Sequence, residues 1–402
     1  MSIDNLFIRW SGARAILHNG WWLVTSLYLV TNGHLSPSQL VFIGVVQGIA
    51  AFLFEVPAGV VADTFSRKWS VVISHMLMGV AMLMTGLVTD FGLLLATQVL
   101  WGVSWTFASG ADVAWITDEL NQPKRIAGVL TRSARAQLSG AAIGIISIGT
   151  LAWATSLGTA IILSGCAMLL LGVYVAVTFR EERFTPVREQ RWLATWKIFK
   201  DGLFLVRNSR TILLVFAATF LVNGAADAYV RLFPKQLVDI GIPPGLEPVA
   251  WLTSLSIAAL LVGAFALRVV EARVHGADVA RIDYAFACLA GVVGLIIFSF
   301  APNALIGVAG VLLVSGIALP LTRTLAAIMV NSRTIDKVRA TVHSFLAQAE
   351  YLGEILCGAA IGILANLAEL SVTLTACAGL LAVTAILMWR WRTDPVPAVI
   401  RE

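Results

Sequence analysis

Glu55-Val56-Pro57-Ala58-Gly59-Val60-Val61-Ala62-Asp63-Thr64-Phe65-Ser66-Arg67-Lys68 lies between an apolar run that enters it and another that leaves at Trp69. A glycine followed four residues later by an aspartate, and then by a basic pair, suits a short turn between two membrane helices. Gly59 would let a neighbouring helix approach closely, and Asp63 would accept hydrogen bonds from an exposed helix N-terminus. Arg67 and Lys68 would hold the turn on the cytoplasmic side.

Composition agrees with that reading. The 402 residues are 58% hydrophobic and 13% charged, against about 45–50% and about 25% in soluble domains. The net charge of +5 follows membrane topology, so the lipid bilayer is a partner and nucleic acid is not. The first apolar segment carries Arg9 and Arg14 and has no small-residue cleavage site, unlike a signal peptide. Cys166, Cys288, Cys357 and Cys377 sit singly in apolar segments without metal or redox spacing. No metal site and no cofactor are expected, apart from the proton as a coupling ion.

Crossing about 30 Å of hydrocarbon takes roughly 20 residues. Twelve segments qualify, at about 8–30, 38–62, 69–89, 91–119, 129–153, 156–179, 211–235, 248–270, 282–301, 304–331, 341–366 and 371–391. The fold class is therefore all-α integral membrane, twelve transmembrane helices in two six-helix bundles. Residues 1–179 form the first bundle, 180–210 a linker, 211–391 the second bundle and 392–402 a tail. Lysines and arginines collect on alternate connections, in the linker and in the tail, with Lys235 the exception. The positive-inside rule then makes the linker and both termini cytoplasmic. Trp192, Trp196, Phe199 and Leu203 recur at helical spacing within the linker, as in an amphipathic helix on the headgroups.

The opening stretch resembles the loop signature of the major facilitator superfamily, roughly Gly-x-x-x-Asp-x-x-Gly-Arg-Lys/Arg. Gly59, Asp63, Arg67 and Lys68 match, while Ser66 stands where glycine is usual and Thr64 where arginine is common. The run Ser109–Leu120 and the stretch from Asn331 to Phe345 are similar to bacterial drug-efflux members, relatives of tetracycline and macrolide exporters. The resemblance implies alternating access around a cavity lined by the first, fourth, seventh and tenth helices. It also implies a cytoplasmic gate latch containing Glu55, Gly59, Asp63, Arg67, Lys68, Asp118 and Arg135. Two family features are missing. Gln98-Val99-Leu100-Trp101-Gly102 lacks the helix-four arginine of drug antiporters, and the series Gly140, Gly144, Gly149 lacks their closing Gly-Pro.

Ionisable residues inside hydrocarbon are costly and mark function. Asp112, Asp227, Glu350 and Glu354 are the proton-coupling candidates, and Glu350 with Glu354 is the deepest acidic pair. Arg14 is placed to neutralise Asp112 or Glu55. Asp227 and Arg231 can neutralise each other at i, i+4, and Arg323 can bridge one of the helix-eleven acids. Arg14, Asn19, Gln98, Trp101, Trp105, Asn223 and Arg323 are the substrate-cavity candidates. Each has a plainer reading as packing, anchoring or a fixed ion pair.

The function expected is proton-coupled efflux of lipophilic or cationic small molecules by a monomer in the bacterial inner membrane. A carrier of a metabolite or organic anion held by Arg14 or Arg323 is the alternative, and a non-transporting sensor is another. An enzyme is disfavoured, since no nucleophile–base pair or phosphate loop is visible.

Overall fold

A computed structural model describes residues 2–185, 200, 203–271, 273, 277–334 and 336–391, without the side chains of 123, 124, 277 and 336–340. The predicted amphipathic linker helix falls largely at 186–199 and, like the tail, lies outside the described residues. The described residues are helical and carry α1 (Ile3–Thr31), α2 (Pro37–Thr64), α3 (Arg67–Thr85), α4 (Phe91–Ala108), α5 (Ala111–Leu120), α6 (Pro123–Ala154) and α7 (Leu157–Thr178). After the linker come α8 (Arg210–Ile240), α9 (Pro248–Glu271), α10 (Ala277–Ser299), α11 (Ala304–Val311), a π-helical turn (Leu312–Ala318), α12 (Leu319–Asn331), α13 (Asp336–Leu367) and α14 (Leu370–Arg390).

Local chemistry sets several boundaries. Ser66, Asp90, Ser156, Ser209 and Asn303 each accept from the backbone N–H three residues on, and so cap α3, α4, α7, α8 and α11. Eleven helices among the described residues are long and apolar enough to cross a membrane. The twelfth crossing is α1. Its 29 residues reach about 43 Å at ~1.5 Å each, but Arg9, Arg14, His18 and Asn19 make it more polar than the rest.

Two crossings depart from a single rod. The fourth, expected as one span over 91–119, breaks between α4 and α5, where Gly110 has φ +75°. Only glycine enters that left-handed conformation without steric cost. The tenth is interrupted by the π turn, just ahead of Pro320. Proline lacks the N–H that would close an α turn there, and the wider turn takes up the mismatch.

The chain divides into two compact units. Unit 1 holds Met1–Ser36, Val46–Arg188 and Pro244–Ile257, and unit 2 holds Pro37–Val45, Glu189–Pro243 and Ala258–Glu402. In unit 1, α1 runs along α6, and α3 packs on α7 and α4. In unit 2, α8 runs along α13, while α10 packs on α14 and on the tenth crossing. The same pairing recurs in both units, as parallel repeats require. The α1–α6 seam is built from small residues. A Cβ at Gly140 would lie 2.5 Å from the Gly12 carbonyl oxygen, and one at Gly144 would overlap the Ile16 carbonyl. Gly140 and Gly144 are thus packing residues that let two backbones touch. Gly59 has no such neighbour, because a Cβ there would meet nothing within 4 Å. The close helix approach expected at that position is absent among the described residues.

One end of unit 1 is sealed by Phe7, Trp10, Trp115 and Phe179, all nearly inaccessible. Outward-facing residues are instead large and apolar, as at Leu53, Leu138, Leu170, Val177, Leu261, Phe265, Leu305 and Leu367. Apolar exposure on this scale requires a lipid solvent.

Candidate functional site

In unit 1 the polar residues of α1 meet the tryptophans of α4. Trp10, Arg14 and His18 follow at i, i+4 and i+8, and Trp101 and Trp105 at i, i+4, so each set shares one helix face. The rings form a ladder. Trp21 stacks on Trp101 at 5.6 Å between centroids, His18 on Trp101 at 5.3 Å, and His18 lies 5.2 Å from Trp105. Trp22 adds a contact to Trp101 at 5.5 Å. Beyond His18, the Arg14 guanidinium covers the Trp105 ring at 4.7 Å and the Trp10 ring at 5.5 Å. It also pairs with Asp112 at 3.0 Å, in the first turn of α5. Of the two acids Arg14 was placed to neutralise, it takes Asp112. Glu55 instead accepts from the Ser109 hydroxyl at 2.9 Å.

Within the ladder, the His18 Nδ1 and the Trp21 and Trp101 indole nitrogens are buried without hydrogen-bond partners among the described residues. Gln98 turns away from it and donates to the Thr85 hydroxyl at 3.3 Å, between α4 and α3. Asn19 donates to its own helix at the Ala15 carbonyl. His75 is structural, since its Nδ1 binds the Val71 carbonyl and its Nε2 accepts from the Trp10 indole N–H.

The α2–α3 turn is tied down within the same unit. Arg67 pairs with Asp118, donates to the Ala114 carbonyl at 3.1 Å, and lies 3.7 Å from Asp63. Asp63 therefore faces this arginine instead of a helix N-terminus. Ser66 donates to Glu181, and the Lys68 backbone N–H donates to the same carboxylate at 3.0 Å. The Lys68 side chain lies over the Trp69 ring. The Trp115 indole donates to the Arg180 carbonyl, and Glu119 accepts from the Glu182 and Arg183 backbones. Ser66, the departure from the family signature, is thus both a helix cap and a tether for residues 180–183. Arg135 is exposed. Near that end of α6, Arg125 and Arg132 instead reach Asp4, at 3.3 and 3.1 Å.

In unit 2 a cavity of about 340 Å³ is lined by Asn223, Ser315, Pro320, Arg323 and Glu350, among others. The π turn presents Ser315 here, where its hydroxyl also meets the Tyr229 hydroxyl at 2.9 Å. Asn223 donates to the Thr219 carbonyl. Arg231 grips Asp227 at 2.9 Å, and this pair fills the space over Gly44. Glu354 lies within electrostatic reach of Asp227, Arg231, Glu350 and Arg323. Arg323 acts on Glu350 through space, and no bridge joins them among the described residues.

The structure thus gathers Arg14, Trp101, Trp105 and Asp112 in unit 1, and Asn223, Arg323 and Glu350 with nearby Glu354 in unit 2. His18 and Glu181 escaped the sequence reading. A polar residue one turn from Arg14 on the same apolar helix was the signal for His18. Among the described residues no cluster of His, Cys, Asp and Glu could hold a metal.

A family model described as Major Facilitator Superfamily matches residues 12–356. The uncharacterized MFS-type transporter YxaM of Bacillus subtilis (strain 168) is 23% identical over 239 residues, 59% of this chain and 59% of that protein. Multidrug resistance protein MdtG of Proteus mirabilis (strain HI4320) is 26% identical over 245 residues, again 59% of each. The chain thus spans about three-fifths of the length of these curated relatives. The nucleoside transporter NupG shares the fold with a TM-score of 0.77 at 14% identity, over 98% of this chain and 100% of that one. The POT family transporter PepTSo does so with 0.73 at 13%, over 96% of each. YxaM, NupG and PepTSo are named as transporters, and MdtG as a multidrug resistance protein.

Proposed function

The chain belongs to the Major Facilitator Superfamily, and we propose that it is a secondary transporter exporting lipophilic or cationic small molecules in exchange for protons. The observation that carries this reading is the ladder in which His18, Trp22, Trp101 and Trp105 keep part of their surface open while the fully buried Trp21 backs them. Aromatic faces bind apolar rings through area and organic cations through the ring quadrupole. With Arg14 neutralised by Asp112, the ladder does not present an unbalanced positive charge. Similarity to MdtG, named for multidrug resistance, supports the same substrate class.

The proton falls to the acids of α13. Glu354 sits among two other carboxylates and two guanidinium groups, where gaining a proton changes the balance of an entire cluster. The Lys/Arg alternation supports a bacterial inner-membrane protein with both termini cytoplasmic. We take it to act as a monomer, opening and closing by movement of its repeats.

The test is uptake of tetraphenylphosphonium into liposomes bearing the purified protein and an acidic lumen. Exchange for lumenal protons predicts uptake accelerated by the gradient, with Glu354→Gln losing the acceleration. Uptake indifferent to the gradient removes the coupling, and absence of protein-dependent uptake removes this reading altogether.

A further inference from the structure

The unit 2 cavity holds two opposite charges that do not meet. Arg323 and Glu350 both line it. Among the described residues the ion pairs of this unit are Arg231–Asp227, Lys235–Asp239 and Arg273–Asp283, and neither lining charge enters one. Arg323 is exposed and Glu350 partly so. A guanidinium facing lipid in an apolar crossing is strongly unfavourable, so this exposure belongs to a wet, solute-accessible space. Around the two charges stand Thr219, Asn223 and Ser315, with apolar surface from Val222, Pro320 and Leu346.

We propose that this cavity binds a small organic zwitterion, its carboxylate on the Arg323 guanidinium and its ammonium on the Glu350 carboxylate. The planar fork of arginine suits a carboxylate, and an ionised glutamate accepts from an ammonium. An anion alone would meet Glu350, and a cation alone would meet Arg323. Only a solute with both charges satisfies both walls. This inference rests on the export reading and changes its solute class at this cavity, because the solute there carries a carboxylate beside its ammonium. Glu350 serves the solute and Glu354, one turn on, serves the proton.

Phenylalanine, its methyl ester and N-acetylphenylalanine share one ring and differ in charge, being respectively zwitterion, cation and anion. Calorimetric titration of each into the full chain in lipid nanodiscs is expected to give binding of phenylalanine about tenfold or more tighter than either derivative, the value of one charge-assisted hydrogen bond. Arg323→Gln should shift the preference towards the ester, and Glu350→Gln towards the N-acetyl compound. Equal binding of all three to the unmodified chain overturns the proposal without any variant, as does an order that both substitutions leave unchanged. Uptake of tetraphenylphosphonium and of phenylalanine, measured on the same preparation, separates the two claims. Gradient-driven uptake without zwitterion preference overturns this proposal alone, while zwitterion preference with gradient-driven uptake of neither tetraphenylphosphonium nor phenylalanine supports the site and overturns the export reading.

Discussion

Replacing Asp112 by asparagine removes the negative charge that Arg14 holds at 3.0 Å, in a pair whose side chains are 14% and 19% exposed. Coulomb attraction at that separation is about 5–6 kcal/mol with an effective dielectric constant of ~20. Desolvation of both ions offsets much of it, so the pair itself stabilises little. Breaking it is another matter. Arg14 would remain charged between Trp10 and Trp105, with only ~1–2 kcal/mol of ring attraction as compensation. The single change should therefore destabilise by about 3 kcal/mol. Arg14→Gln combined with Asp112→Asn should recover at least half of that, because no unpaired charge is left behind. Denaturant titration of the four proteins, followed by tryptophan fluorescence, closes the double-mutant cycle. Losses that simply add would refute the reasoning, since the two side chains would then be energetically independent.

Three further outcomes follow from the packing and the caps. Gly144→Leu should cost ~1–3 kcal/mol or prevent folding by driving α6 off the Ile16 backbone, whereas Gly59→Ala should stay within ~0.5 kcal/mol; thermal stability in detergent compares them, and equal losses would contradict the seam. Ser66→Gly removes the α3 cap and one of the two donors to Glu181, the Lys68 backbone N–H remaining, and should cost ~1–2 kcal/mol, mostly through the lost charge-assisted hydrogen bond, with faster proteolysis around residues 180–185 as the readout. Asp4 precedes the first apolar stretch, and its carboxyl is held below its ordinary value of 3.8 first by the Ser2 side chain and then by Arg132. A lowered folded value gives stability that is complete above the ordinary value and lost as pH falls through the lowered one, so unfolding of Asp4→Asn should show a flatter acid limb than the unmodified chain below about pH 4.

Twelve crossings could be read from the residue order because length and hydropathy are local properties that the bilayer enforces separately on each segment. What resisted reading was non-local. His18 had no visible purpose in α1 until α4 brought Trp101 and Trp105 against it. Glu181 looked like linker, yet it meets the turn at Ser66 through tertiary folding. The break at Gly110 was masked by helix-forming residues on both sides, and a glycine within an apolar pattern is ambiguous until its backbone angle is known. The disturbance ahead of Pro320 in the tenth crossing takes the form of a π turn, which depends on how the preceding carbonyls are accommodated. The level that Arg14 shares with Asp112 and Glu55 was readable because depth along a helix can be counted, whereas the choice of Asp112 over Glu55 and the turning of Gln98 towards Thr85 were not, because facing direction depends on the neighbour.

The interruption at Gly110 makes the fourth crossing an elbow. Its short arm carries Trp115 and Asp118, which hold the loop and linker ends, and its long arm carries the tryptophans of the ladder. Swivelling of the short arm can be absorbed at one residue without dragging those rings along. Arg14 of α1 and Asp112 moor the short arm to the first crossing, so cutting that pair should change how far the short arm swings more than it changes the surface presented to a solute.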